Sequence, residues 1–173
     1  IFNEWYAAQT SKKIRAVWRY KSDKGERVSS AVPYGYMKSP DDSKQWIIAD
    51  AVADNVRYIF KLCLEGLVST KIARRLEQEK IMTPTAYYLS VGRPTSNKLQ
   101  KGIYQWSENS VNHILENIQY TGCTVNFKTS VLSYKVHKTI YNDENDWQII
   151  PNTQEAIIDE DKSGVFKRSN DNI

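Results

Sequence analysis

Apolar residues recur at three- and four-residue steps in several stretches of this chain, and each such stretch predicts a helix with one buried face. The clearest begins at Asp50, read as its N-cap, and carries Val52, Val56, Ile59, Phe60, Cys63 and Leu64, with Gly66 closing it as a C-cap. A second helix is expected over about 70–80, capped by Ser69, with Ile72, Ala73 and Leu76 buried and Lys71, Arg74, Arg75 and Glu79 on its other faces. A third opens at Ser107, a good N-cap, where Trp106 and Val111 have the spacing of a hydrophobic staple. Its buried stripe is Val111, Ile114, Leu115 and Ile118. Residues 3–20 predict a further helix with aromatic and aliphatic positions at Trp5, Tyr6, Ile14, Val17 and Trp18, running into a polar linker over 21–27.

The remaining stretches read as turns and strands. Pro33-Tyr34-Gly35-Tyr36 and Pro40-Asp41-Asp42-Ser43 are turns, the second leading to the short apolar piece Trp46-Ile47-Ile48. Residues 81–105 hold Pro84, Gly92, Pro94 and Gly102 and predict a long loop. Beyond Gly122, residues 124–128, 133–136 and 147–150 read as strands of a small hairpin or meander, with a short closing helix from Glu155 to Lys167. The expected class is therefore α+β, mainly α: a helix-turn-helix-like helical domain with a long inter-helix insert and a small β hairpin or meander near the C-terminus.

Composition narrows the chemistry. The chain has 173 residues, 40% hydrophobic and 25% charged, so it can bury a core and is not disordered by composition. No apolar run approaches the roughly 18 residues of a membrane helix, and no signal-peptide pattern opens the chain, so no membrane partner is expected. Cys63, on an apolar stripe, reads as a buried inert thiol, and Cys123, beside Gly122, as packed near a strand start. With His113 and His137 they are too few and too isolated for a metal site. Asp42, Asp50 and Asp54 read as turn, cap and surface residues, and no phosphate loop, Ser-His-Asp set or carboxylate pair stands out. No catalytic residue, metal or cofactor is expected.

Charge sharpens the picture. A net charge of +4 conceals two basic stretches and an acidic end. Residues 11–30 carry Lys12, Lys13, Arg15, Arg19, Lys21, Lys24 and Arg27 against two acids, and residues 67–105 carry seven bases against Glu77 and Glu79, each +5. Residues 142–173 come to −5. Basic stripes of this kind can follow a phosphate backbone, each contact releasing counterions. They can equally be a solvated face. Their placement on the helices shifts the balance toward the first reading, while an ordinary helical core with its polar side facing water remains the alternative. Ser-x-x-Ile-Ala-x-x-Leu over 69–76, then Ser-x-x-Ser-Val-x-x-Ile-Leu over 107–115, is the hydrophobic skeleton of a helix-turn-helix, with Ala73 small where the helices would cross. A loop of about 25 residues replaces the usual short turn. The second helix would present Glu108, Asn109, Asn112 and His113 away from its apolar stripe. Asn can bond adenine bidentately, and a helix N-terminus can meet phosphate.

Taken in order, the motifs resemble the large serine recombinases, the integrases and transposases of mobile elements. Asn3-Glu4-x-Tyr6 and Ser11-x-Lys13-Ile14-Arg15 are similar to the end of the long helix that leaves that family's catalytic domain. Pro33-Tyr34-Gly35-Tyr36 resembles the opening of its DNA-binding domain. Val56-Arg57-x-Ile59-Phe60, Gly66-x-x-Ser69-x-x-Ile72-Ala73-x-x-Leu76 and Thr83-Pro84 follow. Trp106-Ser107-x-x-x-Val111-x-x-Ile114-Leu115-x-Asn117-x-x-Tyr120-x-Gly122 comes next, then Gln154-Glu155-Ala156-Ile157-Ile158-Asp159, where many members carry His in place of Gln154. The resemblance spans residues 3–166 and accounts for the long insert, which the family shares.

The resemblance implies a division into residues 1–30, the end of the long helix plus a basic linker, and residues 31–173, the recombinase-type DNA-binding domain. The chain opens at Ile1 without methionine and is expected to be a piece of something longer, a serine site-specific DNA recombinase. The catalytic serine domain would precede it and a Cys-rich zinc ribbon would follow, so this fragment itself would not be an enzyme. Its partner would be double-stranded DNA at recombination attachment half-sites, with other recombinase subunits engaged through the missing domains. Lys12, Lys13, Arg15 and Arg19 would meet phosphates and the minor groove, with Arg27 continuing that path. Lys71, Arg74 and Arg75 would position the domain on the backbone, and Asn109, Asn112 and His113 would face bases. The implied location is the bacterial cytoplasm, on the nucleoid when bound. Two other readings stand beside this one. A protein-interaction module would use Tyr87, Tyr88, Tyr104 and the acidic end, and a non-specific nucleic-acid-binding domain without recombinase role would, for single strands, stack bases on the chain's aromatics.

Overall fold

The computed structural model describes residues 2–29, 31–95, 99, 102–131, 136 and 138–159. Helix α1 (Phe2–Asp23) extends three residues into the expected linker. It stops where Gly25, at φ +77°, lets the Gly25 N–H reach the Ser22 carbonyl and the Glu26 N–H reach that of Lys21, both at 2.9 Å. That is the paired bond set of a Schellman turn, and a left-handed residue is what it requires.

Strands β1 (Tyr36–Lys38) and β2 (Trp46–Ile48) form an antiparallel hairpin with Tyr36 opposite Ile48. Helix α2 (Asp50–Leu64) buries Val52, Ala53, Val56, Ile59, Phe60 and Leu62. Two expectations shift here. The capping position is Ala49, with no side-chain bond, and Asp50 is the first helical residue, where its charge still complements the helix dipole. Leu64 is exposed and Cys63 half-buried, because the helix ends at Leu64 and Leu62 closes the core at that end.

Helix α3 (Ser69–Gln78) buries Ile72, Ala73 and Leu76 as the stripe predicts. Its cap is Val68; Ser69 lies one residue inside, and its hydroxyl turns to Asn112. The expected loop over 81–105 contains a helix, α4 (Pro84–Ser90). Thr83 accepts the Ala86 N–H at 3.3 Å and Pro84 takes the first helical position, where a missing N–H costs nothing. Tyr87 and Tyr88 are half-buried, 5.9 and 6.4 Å edge-on from the ring of Tyr34. The interaction surface expected at Tyr87, Tyr88 and Tyr104 is thus partly occupied by the fold itself, Tyr104 being half-buried too.

Helix α5 (Glu108–Leu115) starts as predicted, with Ser107 accepting the Ser110 N–H at 3.1 Å and Trp106 and Val111 both buried. It is shorter than expected. Asn117 caps a separate 3-10 turn, Ile118–Thr121, so Ile118 leaves the helical stripe.

Strands β3 (Thr124–Asn126) and β6 (Gln148–Ile150) pair antiparallel around a second pair, β4 (Thr129–Val131) and β5 (Thr139–Tyr141). Of the expected strand at 133–136, residues 133–135 lie outside the described residues; the pairing runs through 129–131 and 139–141 instead. Residues 155–159 carry no helix, and the rest of the expected closing helix lies outside the described residues. The α+β, mainly helical class holds.

Helices α2, α3 and α5 pack on one another, and Tyr34, Tyr36, Trp106, Tyr120, Ile157 and Ile158 complete the same core. Burial pushes the phenols of Tyr34 and Tyr36 up to about 12 and that of Tyr120 well above its ordinary value. The folded state therefore prefers the neutral phenols. Their contribution is intact below the unfolded value of about 10 and is lost as pH rises through about 12. Melting temperature should fall steadily across that interval. Native-state tyrosinate absorbance from all eleven tyrosines near their ordinary pKa would contradict it.

Candidate nucleic-acid interface

Lys12, Lys13, Arg15 and Arg19 are all exposed on α1. At about 100° per residue, Lys12, Arg15 and Arg19 share one face, and Lys13 is rotated away from it. The Arg19 guanidinium lies 5.8 Å from the centre of the Phe127 ring, so this face adjoins the β3–β4 turn. The apolar positions of α1 are exposed as well: Trp5 at 61%, Tyr6 at 70%, Val17 at 51% and Trp18 at 46%. The helix is held to the domain by polar bonds at its C-terminal end.

On α3, Lys71 and Arg74 are exposed. Arg75 is exposed too, but its Nε donates to Glu79 at 2.5 Å, and Glu79 also accepts from the Tyr58 hydroxyl at 2.9 Å. The bond from Arg75, then that from Tyr58, holds the Glu79 carboxyl below its usual range, and the Glu79 partner raises the Arg75 pKa. Arg75 thus carries less uncompensated charge than Lys71 and Arg74.

Helices α3 and α5 pack directly although 29 residues separate them. Asn109 and His113, one turn apart on α5, are exposed with Glu108. Asn112 differs: it is half-buried and its Oδ1 accepts from the Ser69 hydroxyl, so it ties α5 to the start of α3. His113 borders an open groove whose walls include Trp18, Val32, Asn117, Phe127 and Trp147.

Arg27 is turned inward. Its guanidinium lies 3.4 Å from the centre of the Trp46 ring, Nη1 donates to the Lys44 carbonyl at 2.9 Å, and Nη2 donates to Thr124 Oγ1 at 2.8 Å and Gln154 Oε1 at 2.6 Å. Burial lowers its pKa. These contacts form a clamp joining the linker to β2, β3 and the 153–154 segment. Sequence reasoning missed this because two of the partners, Thr124 and Gln154, lie 97 and 127 residues away. Gln154, where the resemblance leads one to expect His, donates in turn to the Gln119 and Cys123 carbonyls.

Burial pushes the Cys63 thiol up, and the Cys123 thiol donates to the Ile118 carbonyl at 3.2 Å. Among the described residues no group of three His, Cys, Asp or Glu side chains comes together to hold a metal, and no helix is long and apolar enough to cross a membrane.

A model of the family described as Recombinase matches residues 50–164. Among solved structures, a chain from the crystal structure of an LSR–DNA complex is similar at a TM-score of 0.50 and 17% identity, over 90% of this chain and 37% of that one. Another, from work on the sequence requirements of the Listeria innocua prophage attP site, matches at a TM-score of 0.49 and 16% identity, over 93% of this chain and 52% of that one. The present chain thus spans about a third of the length of the first and half of the second. No curated protein matches the sequence.

Proposed function

Because this chain belongs to the Recombinase family, we propose that it binds duplex DNA sequence-specifically, at attachment half-sites, as part of a serine-type site-specific recombinase of a mobile element. The observation that carries the reading is the packed α3–α5 pair, on which Lys71, Arg74, Asn109 and His113 are all exposed. One solved chain of similar fold comes from a structure described as an LSR–DNA complex. Lys12, Arg15 and Arg19 supply a second basic surface on α1, with Lys13 exposed on the neighbouring face. In this reading Lys71, Arg74 and, more weakly, Arg75 meet phosphates, Asn109 and His113 read base edges, and Asn112 supports them from beneath. Arg27 acts by holding the linker. The chemistry of strand exchange belongs to other parts of the recombinase, as does contact with other subunits.

The test is duplex binding against salt. The logarithm of affinity should fall with the logarithm of salt at a slope of about −0.9 per phosphate contacted, and no binding at about 50 mM salt would end the reading. Arg15→Ala and Arg74→Ala should weaken all sequences alike. Asn109→Ala should relax preference at one base position, by about 1–3 kcal/mol of discrimination. An Asn109→Ala protein that selects the same sites as the parent would remove α5 as the reader.

A further inference from the structure

Ser22 and Asn126 are polar, 104 residues apart, and almost wholly buried, at 1% and 2% exposure. Buried polar groups are costly unless bonded, and these are bonded to each other and to their surroundings. Asn126 Nδ2 donates to Ser22 Oγ at 2.8 Å and to the Glu26 carbonyl at 2.9 Å, while its Oδ1 accepts the Val28 N–H at 3.0 Å. One side chain on β3 therefore grips the last turn of α1, the Schellman turn after it and the linker beyond. Gln148, directly opposite Asn126 on β6, adds two more bonds. Its Oε1 accepts from Ser22 Oγ at 2.6 Å, and its Nε2 donates to the Ser22 carbonyl at 3.2 Å. Arg27 extends the same network two register positions along the β3–β6 pair, to Thr124 opposite Ile150.

The nature of this attachment matters. Trp5, Tyr6, Ile14, Val17, Trp18 and Tyr20, the large apolar side chains described on α1, are all exposed, so burial of these side chains, which is non-directional, does not orient the helix. Its orientation comes from directional bonds in a low-dielectric pocket, where a satisfied network rigidifies what it holds. We propose that Asn126 is a positioning residue: through Ser22, Glu26, Val28 and Gln148 it fixes α1, so that the basic face of α1 and the exposed face of α5 meet a duplex as one preset surface. Two surfaces on a loose tether would meet the same phosphates but with a lower effective concentration of the second for the first. The DNA part of this inference rests on the duplex-binding reading; the mechanical part does not.

Spin labels at Thr10 and Lys61, in protein with Cys63→Ala and Cys123→Ala, measure the distance from α1 to the domain. The expected parent distribution is single and narrow, and Asn126→Ala should broaden it while the near-ultraviolet signal of the core persists. On a mixed-sequence 30-bp duplex (about three helical turns), Asn126→Ala should lose about ten-fold in affinity with an unchanged salt slope. Ser22→Ala, which removes a single hydroxyl, should show the same broadening and carries the test where Asn126→Ala does not fold. A distribution that stays narrow in Ser22→Ala, or in folded Asn126→Ala, overturns the positioning role whatever the DNA does. A parent protein with a narrow distribution that ignores duplex DNA overturns the binding reading and leaves the lock standing.

Discussion

Tyr120→Ala is expected to cost about 3–5 kcal/mol, the range for removing a large aromatic side chain from a core. Tyr120 is 1% exposed, stacks at 6.0 Å on Tyr36 and meets Phe60 edge-on at 6.1 Å. Its hydroxyl donates to the Tyr34 carbonyl at 2.7 Å, and its own carbonyl receives the N–H groups of Ile157 and Ile158. The residue thus joins α2, the turn at 33–36 and the last described segment. Tyr120→Phe isolates the polar part. It should cost about 1–3 kcal/mol, because a buried carbonyl loses its partner while the ring stays. Urea unfolding monitored by circular dichroism gives both values. In a chain of this size each kcal/mol moves Tm by about 2–4 °C, so the alanine variant should be plainly separated from the phenylalanine variant. Equal losses in the two would mean that the ring contributes little.

The second large effect is at Gly122, whose φ of +87° is left-handed. A Cβ there would stand 2.7 Å from the Gln154 carbonyl oxygen and 3.4 Å from the Ala156 nitrogen, both backbone atoms that cannot rotate aside. Gly122→Ala should cost about 1–2 kcal/mol for the conformation and about 1–3 kcal/mol for the overpacking. Gly66 provides the control. Its φ is +90°, but a Cβ would meet nothing within 4 Å, so Gly66→Ala should show the conformational cost alone. The difference between the two variants reads the contact of the 154–156 segment with the turn. Indistinguishable stabilities would mean that this segment yields freely.

What was legible in the sequence was what short-range pattern encodes. Helix α5 and its start follow from Ser107, Trp106 and Val111, all within five residues, and the structure places each as the spacing demands. At Asp50 and Ser69 the right residue types sat one place too far along, because a cap is defined by its backbone angles, and Ala49 and Val68 hold the extended ones. Helix α4 went unread: seven residues show too little periodicity, and Pro84 and Gly92 pointed to a loop. Strands β4 and β5, three residues each, have no room to display alternation. The charged candidates on α1 and α3 were visible because charge needs no partner to be noticed. The inward turn of Arg27, the Ser69–Asn112 bond and the Ser22–Asn126 pair were not, since each depends on residues 43 to 127 positions away.

That separation also sets the order in which the domain can be built. The apolar faces of α2 and α3 are synthesised early, yet α5 lies beyond α4, and the Tyr36 hydroxyl waits for the Glu155 carbonyl, 2.7 Å away only in the finished fold. Ile157 and Ile158 arrive last among the described core residues. Until they leave the ribosome, a nascent chain exposes the face that they cover, and a chaperone that binds extended apolar segments would find its substrate there.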